Sequence, residues 1–282
     1  MPKLLAITRN IIEFLGYLAR RFRDDNCLTA AAALSFTTIL SLVPLTAVVL
    51  SILSAFPAFQ NLVQRIQDFI FMNFVPASGE VIQDYIQQFA DQASNLPGLG
   101  MVFLIVTALL LMNTIDAALN QIWHVRRTRG LVSKFLVYWS VLTLGPILVA
   151  TSIAATSYLV SLPFIVESST IGSMKAILLA WMPLLSTTLA LTMLYIIVPN
   201  LNVPIYAGLS AGVVAALMFE IAKKGFTIYV TSVPTYTTLY GALATIPIFL
   251  IWVYVSWIIV LLGAEISGSL ATYTEYRDKL AQ

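Results

Sequence analysis

Long apolar runs with few interruptions dominate the hydrophobic pattern of the chain. Six can be delimited, at about residues 28–54, 100–122, 135–160, 176–198, 205–222 and 241–266. Most of them reach the roughly 20 residues that an α-helix needs to cross about 30 Å of hydrocarbon. Lipid offers backbone groups no hydrogen-bond partner, so runs of this length without apolar–polar alternation are helices. The pattern therefore predicts an all-α polytopic membrane protein with six transmembrane helices.

The first 25 residues follow a different pattern. Apolar side chains recur there at helical spacing, at Ile7, Ile11, Leu15, Leu18 and Phe22. A secretory signal would need an uninterrupted apolar core and a small-residue cleavage site, whereas Arg9 and Glu13 interrupt this one. The segment 1–25 is therefore predicted to be an amphipathic helix lying in the membrane surface. The alternative is a cytosolic helix packed on the loop after span two.

Residues 56–98 form the one sizeable polar segment, between the first two spans. Two amphipathic helical patterns flank the sequence VPASGE, where Pro76 breaks the chain and Ser78 suits a helix N-cap. This segment is predicted to be a helical extracytoplasmic cap. No linker or low-complexity tract separates a further unit, so residues 1–282 are interpreted as a single membrane domain.

Composition and charge placement agree with a membrane location and set its orientation. The chain is 59% hydrophobic and 10% charged, with a mean hydropathy of +0.90, whereas average soluble domains are about 25% charged. Eleven of the 15 basic residues fall on one side if the N-terminus is cytoplasmic, so both termini are predicted to be cytoplasmic. The juxtamembrane arginines are expected to contact lipid headgroups, including anionic ones: Arg20, Arg21, Arg23, Arg126, Arg127 and Arg129. Nucleic acid is not an expected partner, because the basic residues do not gather on one aqueous face.

Cysteine and histidine usage narrows the chemistry. With Cys27 and His124 as single copies, one chain cannot build a disulfide, a Cys/His zinc site or a Cys/His catalytic pair. No Walker sequence, Gly-rich phosphate loop or G-x-S-x-G is present. We therefore expect no enzymatic activity, no metal and no cofactor.

A polar stripe lies near the predicted cytoplasmic end of span two. Asn113, Asp116 and Asn120 are three and four residues apart, so they share one helix face. A carboxyl at this depth is unfavourable in lipid and usually faces a protein interior or a wet cavity, which makes the stripe a candidate substrate or ion pathway. The alternative is that these groups only join span two to neighbouring helices. His124, at the interface, is expected to be a solvated helix end.

Two further acids lie in spans five and six. Glu220 precedes Lys223 and Lys224 by three and four residues, the favourable order for a helical ion pair. This group, near the outer end of span five, is predicted to form an outer gate. Glu265 lies near the cytoplasmic end of span six, close in depth to Asp116, and is assigned to the same pathway.

Small residues in span five recur at four-residue spacing: Gly208, Gly212 and Ala216. Such a ridge lets another helix approach closely. Tight packing within the chain is the preferred interpretation, and a homo-oligomer contact through this face is the other.

Three stretches carry a family resemblance that extends over nearly the whole chain. They are LTAAAALSFTTILSLVPL in span one, IDAALNQIWHV at the end of span two, and YGALATIPIFLIWVYVSWIIVLLGAEI in span six. Together they resemble the YihY/BrkB family of bacterial inner-membrane proteins. The resemblance implies six spans, a location in the bacterial inner membrane and transport of lipid or another solute. The family has also carried the label ribonuclease BN, a misassignment with which the lack of a nuclease constellation here agrees.

The leading functional hypothesis is a transporter or flippase-like protein, not driven by ATP, for a lipid or another anionic amphiphile. Asp116 would couple a proton or orient a polar group, and Asn113 and Asn120 would hydrogen-bond it. One alternative is a cation/proton antiporter that uses the same acids. Another is a non-transporting scaffold in envelope assembly.

Overall fold

The computed structural model describes residues 2–54, 98–125, 130, 132–140, 143, 169–232 and 245–280. These residues contain seven helices and no strand. The helices are α1 (Pro2–Asp24), α2 (Cys27–Ser54), α3 (Gly98–Ile122), α4 (residues 132–140), α5 (Ser169–Ile197), α6 (Ile205–Ser232) and α7 (Thr245–Leu280). The predicted all-α class is confirmed for this part of the chain. The predicted cap lies outside it, apart from Gly98, as does most of span three.

The apolar runs account for the helices, but several helices extend beyond the predicted runs. Helix α5 begins at Ser169, seven residues before the run predicted at 176–198. The run predicted at 205–222 continues as helix α6 to Ser232, and the one at 241–266 continues as α7 to Leu280. Within the described residues, Ile205–Ser232 and Ile246–Thr272 are long and apolar enough to cross a membrane, and Cys27–Leu42 of α2 and Pro183–Ile197 of α5 are shorter apolar stretches. The count of six spans remains a prediction.

Helix α7 is the central element of the fold. It packs against α1, α2, α3, α5 and α6, and residues such as Leu261 and Ala264 are fully buried. The α7 side chain Trp257 donates an indole hydrogen bond to Thr38 of α2 at 2.9 Å. One turn along α2, Ser41 donates to the Thr107 carbonyl of α3 at 3.0 Å. Polar side chains thus join the helices where the surrounding core is apolar.

The glycine ridge of α6 packs against α5 of the same chain. A Cβ added at Gly208 would collide with Ile196, and one added at Gly212 would collide with Thr192. The neighbouring Ala211, Ala215 and Ala216 are fully buried. The expected tight packing is therefore confirmed. In this chain α5 covers Gly208 and Gly212. The alternative, a homo-oligomer contact through Gly208, Gly212 and Ala216, stays a prediction.

Replacing Gly212 by alanine is expected to lower the free energy of unfolding by about 1–3 kcal/mol, the usual effect of overpacking a tight core. The added methyl group would meet the Thr188 carbonyl and Thr192 of α5. Gly225 of the same helix has open space at the corresponding position. There, alanine should stabilise the helix by up to about 1 kcal/mol, because glycine loses more backbone freedom. Unfolding of both purified variants in detergent measures the two changes in stability. Equal changes would contradict the packing of Gly212 against α5.

Two residues with positive φ end α1 and α3 and so position the polar groups nearby. Asn26 has φ 52° and His124 has φ 51°. Asparagine tolerates this conformation well, and Asn26 also accepts a hydrogen bond from Ala30 as α2 begins. After α3, the Val125 amide binds the Asn120 carbonyl and the His124 amide binds the Gln121 carbonyl. This Schellman arrangement closes the helix end.

Candidate functional site

A lysine that was not predicted as a site residue completes the polar stripe of α3. Lys134 of α4 places its Nζ 3.2 Å from Asn113 Oδ1 and 3.7 Å from Asp116 Oδ2. The side chain of Asp116 is 6% exposed and that of Lys134 is 21% exposed. The buried carboxylate therefore has a positive neighbour, as a charge at this depth requires. The sequence feature that could have identified Lys134 is its position directly before the apolar run 135–160.

An open groove between α3 and α4 leads to this ion pair. It has a volume of about 430 Å³, within the range of roughly 300–1,000 Å³ typical of ligand pockets. Its walls come from Val106, Leu109, Leu110, Asn113, Lys134, Phe135 and Tyr138. Five of these seven side chains are aliphatic or aromatic, and the amide and the ammonium supply the polar part. The groove thus combines an apolar wall with a single fixed positive charge.

Asn120 has a different role from the one expected. Its Nδ2 donates to the backbone carbonyl of Asp116 at 2.8 Å, within α3. Its Oδ1 accepts a hydrogen bond from the Asn200 amide at 2.7 Å. The expected hydrogen bond to the Asp116 carboxylate is therefore corrected. Asn120 instead holds the corner between α5 and α6 against the end of α3, which matches the structural alternative for this position.

Glu265 belongs to a second cluster, where α1, α2, α3 and α7 meet. Its side chain is fully buried, and its Oε2 lies 3.1 Å from Arg21 Nε. The Cys27 thiol donates to Glu265 Oε1 at 3.6 Å. Glu265 is thus paired with α1 and α2, and the structure does not bring it into contact with the Lys134 ion pair.

Arg21 is directed into the protein and does not face lipid headgroups. Its Nη2 donates to the Ile122 carbonyl at the end of α3 at 2.7 Å, and its Nη1 donates to Thr272 of α7 at 3.0 Å. The headgroup prediction for Arg21 is therefore corrected, because the guanidinium is used in binding Glu265 and two helices. Arg20 and Arg23 are exposed, which leaves them available to headgroups. Arg126, Arg127 and Arg129 lie outside the described residues.

The turn between α1 and α2 extends this cluster toward the end of α3. Gln121 donates a hydrogen bond to the Asp25 carbonyl at 3.0 Å. The His124 Nδ1 lies 3.7 Å from Asp25 Oδ1, and the histidine itself is exposed. The expected solvated helix end at His124 is confirmed. Within the part of the chain that the structure describes, no group of three or more His, Cys, Asp or Glu side chains could hold a metal ion.

The predicted ion pair on α6 forms, but its position along the helix differs. Lys223 Nζ donates to Glu220 Oε1 at 2.6 Å, whereas Lys224 is exposed. Glu220 is 15 residues from Ile205, which is roughly 22 Å at ~1.5 Å per residue. Because α6 continues to Ser232, the pair lies near the middle of the helix and not at its outer end.

Comparisons with known proteins place the chain in a family. A family model described as virulence factor BrkB matches residues 18–282. A UPF0761 membrane protein of Alkalilimnicola ehrlichii is 46% identical over 273 residues, which cover 97% of this chain and 61% of the relative. One from Nitrosospira multiformis is 47% identical over 270 residues, 95% of this chain and 63% of the relative. One from Vibrio parahaemolyticus is 44% identical over 278 residues, 99% of this chain and 88% of the relative.

The chain is therefore shorter than several of its relatives and covers less than two thirds of the first two. No solved structure matches it. The match of the family model over most of the chain agrees with the sequence resemblance carried by spans one, two and six. On these grounds the chain is a membrane protein that belongs to the virulence factor BrkB family.

Proposed function

We propose that this membrane protein moves an anionic amphiphile, such as an anionic phospholipid, across the bilayer without ATP. The observation that carries the proposal is the groove between α3 and α4, which pairs an apolar wall with Lys134. An acyl chain buried against Leu109, Leu110 and Phe135 would gain hydrophobic free energy of about 25 cal/mol per Å². A phosphate or carboxylate at Lys134 would receive a charge-assisted hydrogen bond.

The proposed setting is the bacterial inner membrane, with six spans and both termini cytoplasmic. Three contacts support it by bringing together the chain segments that this topology assigns to one side. Arg21, near the end of α1, binds the carbonyl of Ile122 at the end of α3. It also binds Thr272 in the last part of α7. Asn120 binds Asn200 in the corner between α5 and α6.

Replacing Lys134 by glutamine is expected to abolish movement of an anionic lipid, because the groove would lose its positive charge and leave Asp116 unneutralised. The measurement uses purified protein in vesicles with a trace of fluorescent phosphatidylglycerol, whose inner-leaflet fraction becomes accessible to an added quencher when it is translocated. Lys279→Gln, near the end of α7, provides the matched control, since it removes the same charge far along the chain from the groove. Translocation by Lys134→Gln at the wild-type rate would refute the proposal.

The same vesicles discriminate the two alternative functions. A cation/proton antiporter would dissipate an imposed pH gradient when sodium or potassium is added, and Asp116 would be required. Lys134 already neutralises Asp116, which favours an anionic substrate over a cation at this position. A scaffold would neither translocate lipid nor dissipate the gradient.

A further inference from the structure

We propose that Asp116 is the counter-ion that the substrate's anionic group displaces from Lys134, so that each anionic headgroup binds together with one proton. The inference rests on the proposed function and adds the coupling ion. It starts from the Asp116–Lys134 ion pair at the polar end of the groove, where both partners are largely buried.

The geometry of the pair leaves Lys134 able to accept an anion. Its Nζ is 3.7 Å from Asp116 Oδ2, beyond the usual hydrogen-bond range of about 2.7–3.2 Å. The shorter contact, at 3.2 Å, is to the neutral oxygen of Asn113. An ammonium carries three donors, and the groove opens onto this residue. A headgroup oxygen could therefore reach Lys134 from the groove while Asn113 holds the ammonium in place.

Charge balance supplies the proton. The empty site is neutral, with one carboxylate and one ammonium. A bound monoanion would add an uncompensated negative charge at membrane depth, and such a charge is strongly unfavourable in a low-dielectric interior. Uptake of one proton by the Asp116 carboxylate restores neutrality. One O–H bond forms at Asp116, and one bond to hydrogen breaks in the protonated buffer that supplies the proton. Asp116 Oδ1 is buried and has no hydrogen-bond partner among the described residues, so this oxygen is the position that the proton would occupy.

Other titratable groups near α3 are engaged elsewhere. Helix α2 carries one titratable side chain, Cys27, and it is bound to Glu265 of α7. Glu265 in turn is paired with Arg21 of α1. On α4, Tyr138 lines the groove. Tyr254 is the other titratable residue in the buried part of α7. At the end of α3, His124 Nδ1 lies 3.7 Å from Asp25 Oδ1, and neither residue lines the groove. Asp116 is therefore the group able to change charge when an anion reaches Lys134.

The exchange specifies the substrate class. A headgroup with one net negative charge fits a site that gains one proton. A zwitterionic headgroup brings its own positive charge and has no need of a proton. The protein should therefore prefer anionic to zwitterionic lipids with the same acyl chains, and its affinity for them should fall as the pH rises.

Calorimetric titration of the purified protein in neutral detergent tests the exchange. The probe is a short-chain phosphatidylglycerol, with the phosphatidylcholine of equal chain length as its control. Titrations in two buffers of different ionisation enthalpy give the number of protons taken up per lipid bound. We expect one proton for the wild type. We also expect an affinity that falls by up to about tenfold per pH unit as the pH rises, because binding is linked to the uptake of one proton.

Two variants complete the test. Asp116→Asn should still bind phosphatidylglycerol, with no proton uptake and no pH dependence, because the amide mimics the protonated acid. Lys134→Gln should lose the binding. Wild-type binding without proton uptake would overturn the exchange and leave the proposed function intact. The absence of phosphatidylglycerol binding in both the wild type and Asp116→Asn would overturn the proposed function itself. If Asp116→Asn does not fold, the pH dependence of the wild type decides the question alone.

Discussion

Replacing Arg21 by alanine is expected to lower the free energy of unfolding by about 3–5 kcal/mol, the usual effect of removing one partner of a buried ion pair. Glu265 is fully buried beside the guanidinium, so its carboxylate would lose its positive partner among the described residues. The same substitution removes the donors that bind the Ile122 carbonyl and Thr272. Helices α3 and α7 would therefore both lose these contacts with α1.

A double-mutant cycle separates these contributions. Glu265→Gln combined with Arg21→Ala removes the unpaired charge, so it should recover most of the loss, and the remainder measures the helix contacts of Arg21. Arg20→Ala is the matched control, since Arg20 is exposed on the same helix, and it should change stability by less than about 0.5 kcal/mol. Unfolding in detergent is measured for the wild type, the single variants Arg21→Ala and Glu265→Gln, the double variant and the Arg20→Ala control. An Arg21→Ala variant as stable as Arg20→Ala would contradict the assigned role.

Tyr195 is the second side chain whose loss should have a large effect. Its ring is fully buried, and its hydroxyl donates to the Val260 carbonyl of α7 at 3.0 Å. The hydroxyl lies against Gly263, where an added Cβ would collide with it, and Ala215 of α6 is next to the same point. Truncation to alanine would open a cavity where α5, α6 and α7 meet. We expect a loss of about 3–5 kcal/mol, as for other large aromatic residues in cores.

Tyr195→Phe separates the hydroxyl from the ring. It keeps the packing and removes one hydrogen bond, so the expected loss is about 1 kcal/mol. Thermal unfolding of the two variants in the same detergent measures the difference. Similar losses for both would mean that the hydrogen bond, and not the ring volume, holds α5 against α7.

The positions of the helices could be predicted from the chain because helical hydrogen bonds are local and the apolar runs are long. Their ends could be predicted less well. The predicted run of span five ends at residue 222, directly before two lysines, whereas α6 continues past Lys223, which pairs with Glu220. An ion pair between residues three apart is compatible with an uninterrupted helix, so the two charges did not mark its end.

The polar residues show where sequence reasoning was incomplete. Asp116 was identified from its depth in an apolar run, which is a local property. Its partner Lys134 is 18 residues further along the chain and comes close only through the packing of α4 on α3. Arg21 and Glu265 are 244 residues apart in sequence, and no periodicity links them. Each arginine of the juxtamembrane clusters has the same local signal, yet Arg21 is directed inward while Arg20 and Arg23 are exposed.

The sequence by itself determined that this is a helical membrane protein and to which family it belongs, because these properties depend on composition, run length and local motifs. It also determined that Gly208, Gly212 and Ala216 form one helix face. Only the tertiary structure decided that this face packs on α5, that Asn120 holds a chain corner, and that Lys134 adjoins Asp116 at a groove. The physical reason is that side chains far apart in sequence are brought within contact distance by helix packing, which the pattern along one helix does not contain.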